Sequence, residues 1–306
     1  MKRIVSVILV SLFILSCAIG CAARPAPDGV TIVATLFPQY DFARAIAGDR
    51  ATVTLLLPPG VESHSYEPTP RDVINISSAT LFVYTGEYME PWAKQLSAQA
   101  KNVVDASSGL ILDAEHQHAD DDAEHDEHSH GGYDPHIWTD PTMAAVMVDN
   151  IAVALMACDK ANADYYRANA DTYIEKLYKL DEDISTAVSE FTNRTVCFGG
   201  RFAMHYFAKR YELTPLAAYD SCSSETEPSA KAVAQIIDAV RSQHIKAIYY
   251  EELVDPKVAR SIAAEAGCEP LLLHSCHNLS REEFDAGETY LSLMYKNLEN
   301  LKKGLG

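Results

Sequence analysis

The most specific chemistry in this 306-residue chain belongs to its eleven histidines. Five of them, His116, His118, His125, His128 and His130, crowd into fifteen residues inside the acidic tract 113–132. Imidazoles among carboxylates attract late divalent transition metals such as zinc, copper and nickel. A tract this polar cannot bury a core, so the expectation is a mobile loop that binds metal weakly with fast exchange. A merely acidic loop with incidental histidines is the plainer alternative, and their concentration argues against it.

Three more histidines stand just past apolar runs. His64 lies in Pro58-Pro59-Gly60-Val61-Glu62-Ser63-His64-Ser65-Tyr66-Glu67-Pro68, His136 in Asp134-Pro135-His136-Ile137-Trp138, and His274 directly after Leu271-Leu272-Leu273. Open α/β sheets bind ligands beyond the carboxyl ends of their strands. A lone loop histidine is usually a hydrogen-bonded structural residue, but three at equivalent places beside a metal-attracting tract read as ligands.

The elements that would position them alternate. Val30–Leu36, Thr52–Leu57 and Leu81–Thr85 read as strands, with helices over Tyr40–Ile46, Arg71–Ser78 and Pro91–Ala100. Strand and helix alternation predicts a parallel α/β sheet. From Met143 to Phe191 the period is helical, broken near Cys158-Asp159. Its second piece puts Tyr166, Ala170, Tyr173, Leu177, Leu180, Ile184, Val188 and Phe191 on one stripe, without proline or glycine. Such a helix, roughly 27 residues long, would span about 40 Å. Strands then resume at Thr195–Phe198, Leu213–Ala217, Ile245–Tyr250 and Leu271–Leu273, with helices clearest at Pro228–Ser242 and Glu282–Leu301. The predicted fold is therefore two parallel-sheet α/β lobes joined by one long backbone helix. The lobes are assigned to 30–142 and 194–306, and the helical connection to 143–193.

Lys2 and Arg3 precede an apolar run from Ile4 to Leu15, which ends in Ser16-Cys17-Ala18-Ile19-Gly20-Cys21. This pattern predicts a lipoprotein signal peptide over 1–21 rather than a membrane span, which needs about 20 apolar residues. Lipidation falls on Cys21 or Cys17, and residues 22–29 follow as a tether. Two or more acyl chains would anchor the protein stably outside the cell membrane or in the periplasm. No second apolar run reads as long enough to span a bilayer. The net charge of −18 repels nucleic acid and anionic headgroups and suits a cationic ligand. HExxH, Gly-x-Ser-x-Gly and CxxC are all absent, which argues against a hydrolase or a redox centre.

At these residues the chain resembles the ZnuA-like family of zinc and manganese substrate-binding lipoproteins of ABC importers. The likeness runs from about residue 30 to the end. Its anchors are the Gly60 to Pro68 stretch, Tyr84-Thr85-Gly86 with Glu90-Pro91-Trp92, the Asp134 to Trp138 stretch, Glu227-Pro228-Ser229, and Thr289-Tyr290-Leu291 with Asn297-Leu298. The resemblance implies a monomeric, non-enzymatic carrier that buries one metal in the interlobe cleft and hands it to a permease and its ATPase subunit. It implies that the histidine tract is a recruiting loop and maps two ligands onto His64 and His136. The family's third ligand position falls on Arg201, so either His205, one helical turn on, substitutes or Glu225 does. The fourth position is aligned with His274. Nitrogen donors favour Zn(2+) over Mn(2+), and capture should weaken below about pH 6.5 as imidazoles protonate. Cys222 and Cys276, both at strand ends near the site, could form a disulfide or act as thiolate ligands, and an oxidising compartment favours the disulfide. The alternatives are a manganese-binding counterpart and a metal-dependent surface adhesin.

Overall fold

The computed structural model describes residues 29–61, 63, 66–114, 133–218 and 228–306. Two four-stranded parallel sheets carry the chain. The first contains β1 (Val30–Ala34), β2 (Ala51–Leu55), β3 (Leu81–Tyr84) and β4 (Val103–Asp105) in the order β2-β1-β3-β4. The second contains β5 (Thr195–Phe198), β6 (Thr214–Ala217), β7 (Ala247–Tyr250) and β8 (Glu269–Leu272) in the order β6-β5-β7-β8. The two orders are the same pattern displaced by four strands. In each sheet the chain crosses to one side and then the other of its first strand, so a crevice opens where those connections diverge.

Helices cover the sheets: α1 (Phe37–Ala47), α2 (Pro70–Ser78), α3 (Gly86–Met89), α4 (Pro91–Ser97), α5 (Pro141–Cys158), α6 (Ala163–Glu190), α7 (His205–Arg210), α8 (Ala230–Ser242), α9 (Lys257–Ala266), α10 (Arg281–Asp285) and α11 (Tyr290–Leu305). The long helix is α6, with 28 residues, about 42 Å at 1.5 Å per residue. Its buried stripe is Tyr166, Ala170, Tyr173, Leu177, Leu180, Ile184, Ala187 and Val188, one face at steps of three and four. The break before it is fixed by Asp159, whose carboxylate accepts from Asn162 and from the Tyr166 hydroxyl, both at 2.7 Å. One core runs through both halves, from Ile32 and Phe42 along α6 to Tyr290 and Leu305. The lobes therefore share buried apolar surface rather than meeting only at a linker.

Two expectations change. The helix expected over Glu282–Leu301 is two helices, because Gly287 at φ +77° ends α10 and Thr289 starts α11 with a capping box to Ser292. Among the described residues α5 is apolar and long enough to cross a membrane by composition alone. Its apolarity is explained by packing, since Ala144, Met147, Val148, Ile151 and Leu155 are fully buried.

Past the ends of β1 and β3 the first lobe buries a polar group. Glu90 is 1% exposed, and its Oε2 accepts from the Thr85 amide at 2.7 Å. Burial raises its carboxyl to about 7, against the bond from the Thr85 amide. An unfolded glutamate ionises near 4.5, so the native state loses stability between about pH 4.5 and 7. Glu90→Gln keeps an acceptor for Thr85 and removes that dependence. The variant should gain up to about 3 kcal/mol over the parent at pH 8 and much less at pH 5.5, measured by urea unfolding of the metal-free protein.

Candidate metal site between the lobes

The site is built from two turns of the same design. In the first lobe, after β4, Asp134-Pro135-His136 closes on itself: Asp134 Oδ1 accepts the His136 amide at 2.9 Å and lies 2.8 Å from its Nδ1. In the second, after β8, Ser275-Cys276-His277 does likewise. Ser275 Oγ accepts the His277 amide at 3.4 Å and lies 2.7 Å from its Nδ1. A short polar side chain bonding the backbone two residues on is a standard local turn; here it also seizes the imidazole. With Nδ1 of each ring engaged, Nε2 is the nitrogen that can face a metal.

The turns meet across the seam. His136 and His277 have ring centroids 4.4 Å apart at an interplanar angle of 80°, and both contact Trp138, at 5.6 and 5.0 Å. Trp138 in turn donates from Nε1 to the Ser275 carbonyl at 2.8 Å. His136 is 0% and His277 9% exposed. Burial works against the ionisation of Asp134, yet its two bonds and the charge interaction with His136 leave its carboxyl below the ordinary range. Beside His277 lies a cavity of about 40 Å³ whose walls include Ser63 from the first lobe and Arg201, Glu251, Glu252, Ser275 and Asn278 from the second.

The sequence-named residues fare unequally. His136 lies in the first of these turns, buried at the seam. His64 lies outside the described residues, although its neighbour Ser63 lines the cavity with His277. The residue that sequence reasoning missed is His277, three positions beyond His274. His274 is engaged elsewhere: its Nδ1 accepts the Cys276 amide at 2.9 Å, its Nε2 lies 3.8 Å from Glu283 Oε1, and its backbone is held at both ends by Asn297. The Glu283 carboxyl is held down to about 2 by the His274 ring, against burial and together with the Ser280 cap. The signal that distinguishes the two is Ser275, two residues before His277 as Asp134 is two before His136.

His205 opens α7 and sets Nε2 3.1 Å from Asp113 Oδ2, with Lys209 2.5 Å from the same oxygen. It thus reaches the stem of the histidine tract. The stem is closed by a bridge between Ala114 and Tyr133 and by the Asp134 amide on the Asp113 carbonyl at 3.0 Å. His116, His118, His125, His128 and His130 lie outside the described residues, as do Glu225, Cys222, Cys21 and Cys17. Arg201 donates from Nε to Glu251 at 2.8 Å, and both side chains are 12% exposed.

The expected Cys222 to Cys276 disulfide is not formed, because Cys276 is a free thiol. Its φ of +62° turns the side chain into the shared core, where it is 0% exposed and burial raises its pKa. Cys158, Cys197 and Cys268 are free as well.

Comparison with known proteins follows the same outline. The family described as ZnuA, zinc-uptake complex component A, periplasmic, matches residues 32–304. The high-affinity zinc uptake system protein ZnuA of Bacillus subtilis is 37% identical over 291 residues, covering 91% of this chain and 88% of the relative. The zinc-binding protein AdcA of Streptococcus pyogenes is 34% identical, and the match spans only 55% of its length. Among solved structures, the metal-dependent lipoprotein YcdH of B. subtilis superposes with a TM-score of 0.77 at 33% identity, covering 90% of this chain and 99% of its own. The Zn(II)-bound ZnuA-like domain of Streptococcus pneumoniae AdcA does so with 0.75 at 32%, over 90% and 99%. The laminin-binding protein Lmb of Streptococcus agalactiae, described as an adhesin and metal transporter, reaches 0.78 at 31%, over 91% and 100%.

If His274 serves the turn, His274→Ala leaves the buried Cys276 amide without its acceptor and Glu283 without its ring. The metal-free protein should lose about 2 kcal/mol in urea unfolding, an effect that a surface histidine would not produce.

Proposed function

The chain belongs to the ZnuA family, and from that premise we propose that it captures zinc outside the cytoplasm and delivers it to the permease of an ABC importer. The observation that carries this reading is the meeting of His136 and His277 across the seam, 4.4 Å between ring centroids, each with Nδ1 already engaged. His64 is proposed to complete three imidazole donors. The support for His64 is the family resemblance, which maps a ligand onto it, and the place of its neighbour Ser63 in the cavity wall with His277. The remaining position belongs to a labile group, Glu225 or solvent, which suits a carrier that must release its cargo. Nitrogen donors favour zinc over manganese.

The histidine tract is proposed to recruit metal at weaker sites beside the cleft, since its stem closes one residue before the His136 turn. Lipidation at Cys21 or Cys17 would hold a monomeric carrier at the membrane face, where its permease and ATPase partners lie. A second reading, attachment as a surface adhesin, draws on the likeness to Lmb; it requires that loss of the chain weaken cell attachment while zinc uptake persists.

Competition titration against a chromophoric chelator, with metal analysis, tests the site. The parent should hold one zinc tightly. His136→Ala and His277→Ala should each weaken it by more than about 100-fold, beyond the cost of disturbing an outer partner, and His274→Ala by less than about tenfold. Deleting residues 115–130 should remove weaker binding and keep the tight site. Stoichiometric manganese binding without zinc preference would overturn the assignment of the cargo.

A further inference from the structure

Ser275 Oγ is surrounded by three groups. It accepts the His277 amide, lies 2.7 Å from His277 Nδ1, and lies 2.5 Å from Glu252 Oε1. Glu252 Oε2 also accepts the Ser275 amide at 2.8 Å and lies 3.7 Å from His274 Nδ1. The Glu252 side chain is 7% exposed and Ser275 is 3% exposed. Glu252 stands just past the end of β7 and Ser275 just past the end of β8, so neighbouring strands bring them together.

A hydroxyl has one proton to donate and two lone pairs, and an ionised carboxylate only accepts. The Ser275 proton must therefore point at Glu252. Both lone pairs then face the second turn, one taking the His277 amide and the other requiring a proton on Nδ1. That leaves the lone pair of His277 on Nε2, on the ring edge available to a metal. Cys276 at φ +62°, a conformation costly for a residue with a side chain, is what lets Ser275 and His277 face one another.

We propose that Glu252 is a positioning residue for metal capture, acting through Ser275 to fix the tautomer and orientation of His277. This rests on His277 being a ligand, as proposed above. It makes the second lobe's turn the counterpart of Asp134 and His136, with a hydroxyl inserted between carboxylate and imidazole. Outer partners of metal-binding histidines are typically worth about 10- to 100-fold in affinity.

The test uses the full chain with zinc, and with cobalt(II) as a spectroscopic substitute. Glu252→Gln preserves shape but supplies an amide donor, so the serine can reverse and move the imidazole proton to Nε2. Ser275→Ala removes the relay, and Ser275→Thr restores it. Zinc affinity should fall about 10- to 100-fold in Glu252→Gln and in Ser275→Ala, recover in Ser275→Thr, and fall no further in the double variant because the two act as one unit. The visible band of bound cobalt should shift in the two impaired variants, while the unfolding midpoint of the metal-free protein moves little in Glu252→Gln. If His277→Ala binds weakly but Glu252→Gln and Ser275→Ala stay within about threefold of the parent, the relay is wrong and the ligand stands. Weaker binding that merely follows lost stability, with an unchanged cobalt band, likewise overturns the relay. If His277→Ala itself binds like the parent, the ligand assignment falls first.

Discussion

Everything about this site depends on an imidazole having two nitrogens and a buried one having to account for both. A ring at the bottom of a cleft presents a lone pair to a cation only if its other nitrogen holds the proton, and only if an acceptor stabilises that proton away from water. Asp134 and Ser275 supply that acceptor. Each does so from two residues upstream, using the oxygen that also fixes the backbone of the turn. Local turn geometry and donor chemistry are thus one constraint, met once in each lobe.

The scaffold converts two local turns into one site. Equivalent strand orders, β2-β1-β3-β4 and β6-β5-β7-β8, carry both turns to the carboxyl side of their sheets. The shared core along α6 then fixes the distance between the lobes. Contacts at the seam are numerous and backbone-rich: Asn278 donates to the carbonyls of Pro58 and Val61 at 2.8 Å, and the Gly60 amide donates to the Leu279 carbonyl at 2.8 Å. The segment leading to His64 is thereby tied to the one carrying His277. Opening the cleft would break these bonds together with the Trp138 contact, so wide parting of the lobes would cost all of them at once.

Much of this was legible in the sequence. The stripe from Tyr166 to Val188 gave α6, because a helix buried on one face must show its period. Alternating apolar runs gave seven of the eight strands among the described residues for a similar reason, and β4 was missed because Val103–Asp105 is too short to show a pattern. His136 was named through its strand-end context. The same rule selected His274 over His277, since it ranks residues by distance from the strand and cannot see that Cys276 reverses the chain at φ +62°. The disulfide expectation failed for the same reason, as that reversal sends the thiol into the core. Long-range pairing, such as Glu252 with Ser275, leaves no periodic trace.

The chain's departure at Arg201 bears on how a tight site can also be a releasing one. Three neutral imidazoles leave a bound dication uncompensated, and a guanidinium in the same cavity would worsen this were it not paired with Glu251 at 2.8 Å. The balancing charge sits outward of the donors, one hydrogen bond behind His136 at Asp134 and two behind His277 at Glu252. Coulomb attraction falls only as the inverse of distance, so carboxylates held behind the donors still favour the cation. They form no bond to the metal that must be broken on departure. In the proposed site, affinity comes from the field and the imidazole nitrogens together, and release has only the nitrogens and one labile group to detach.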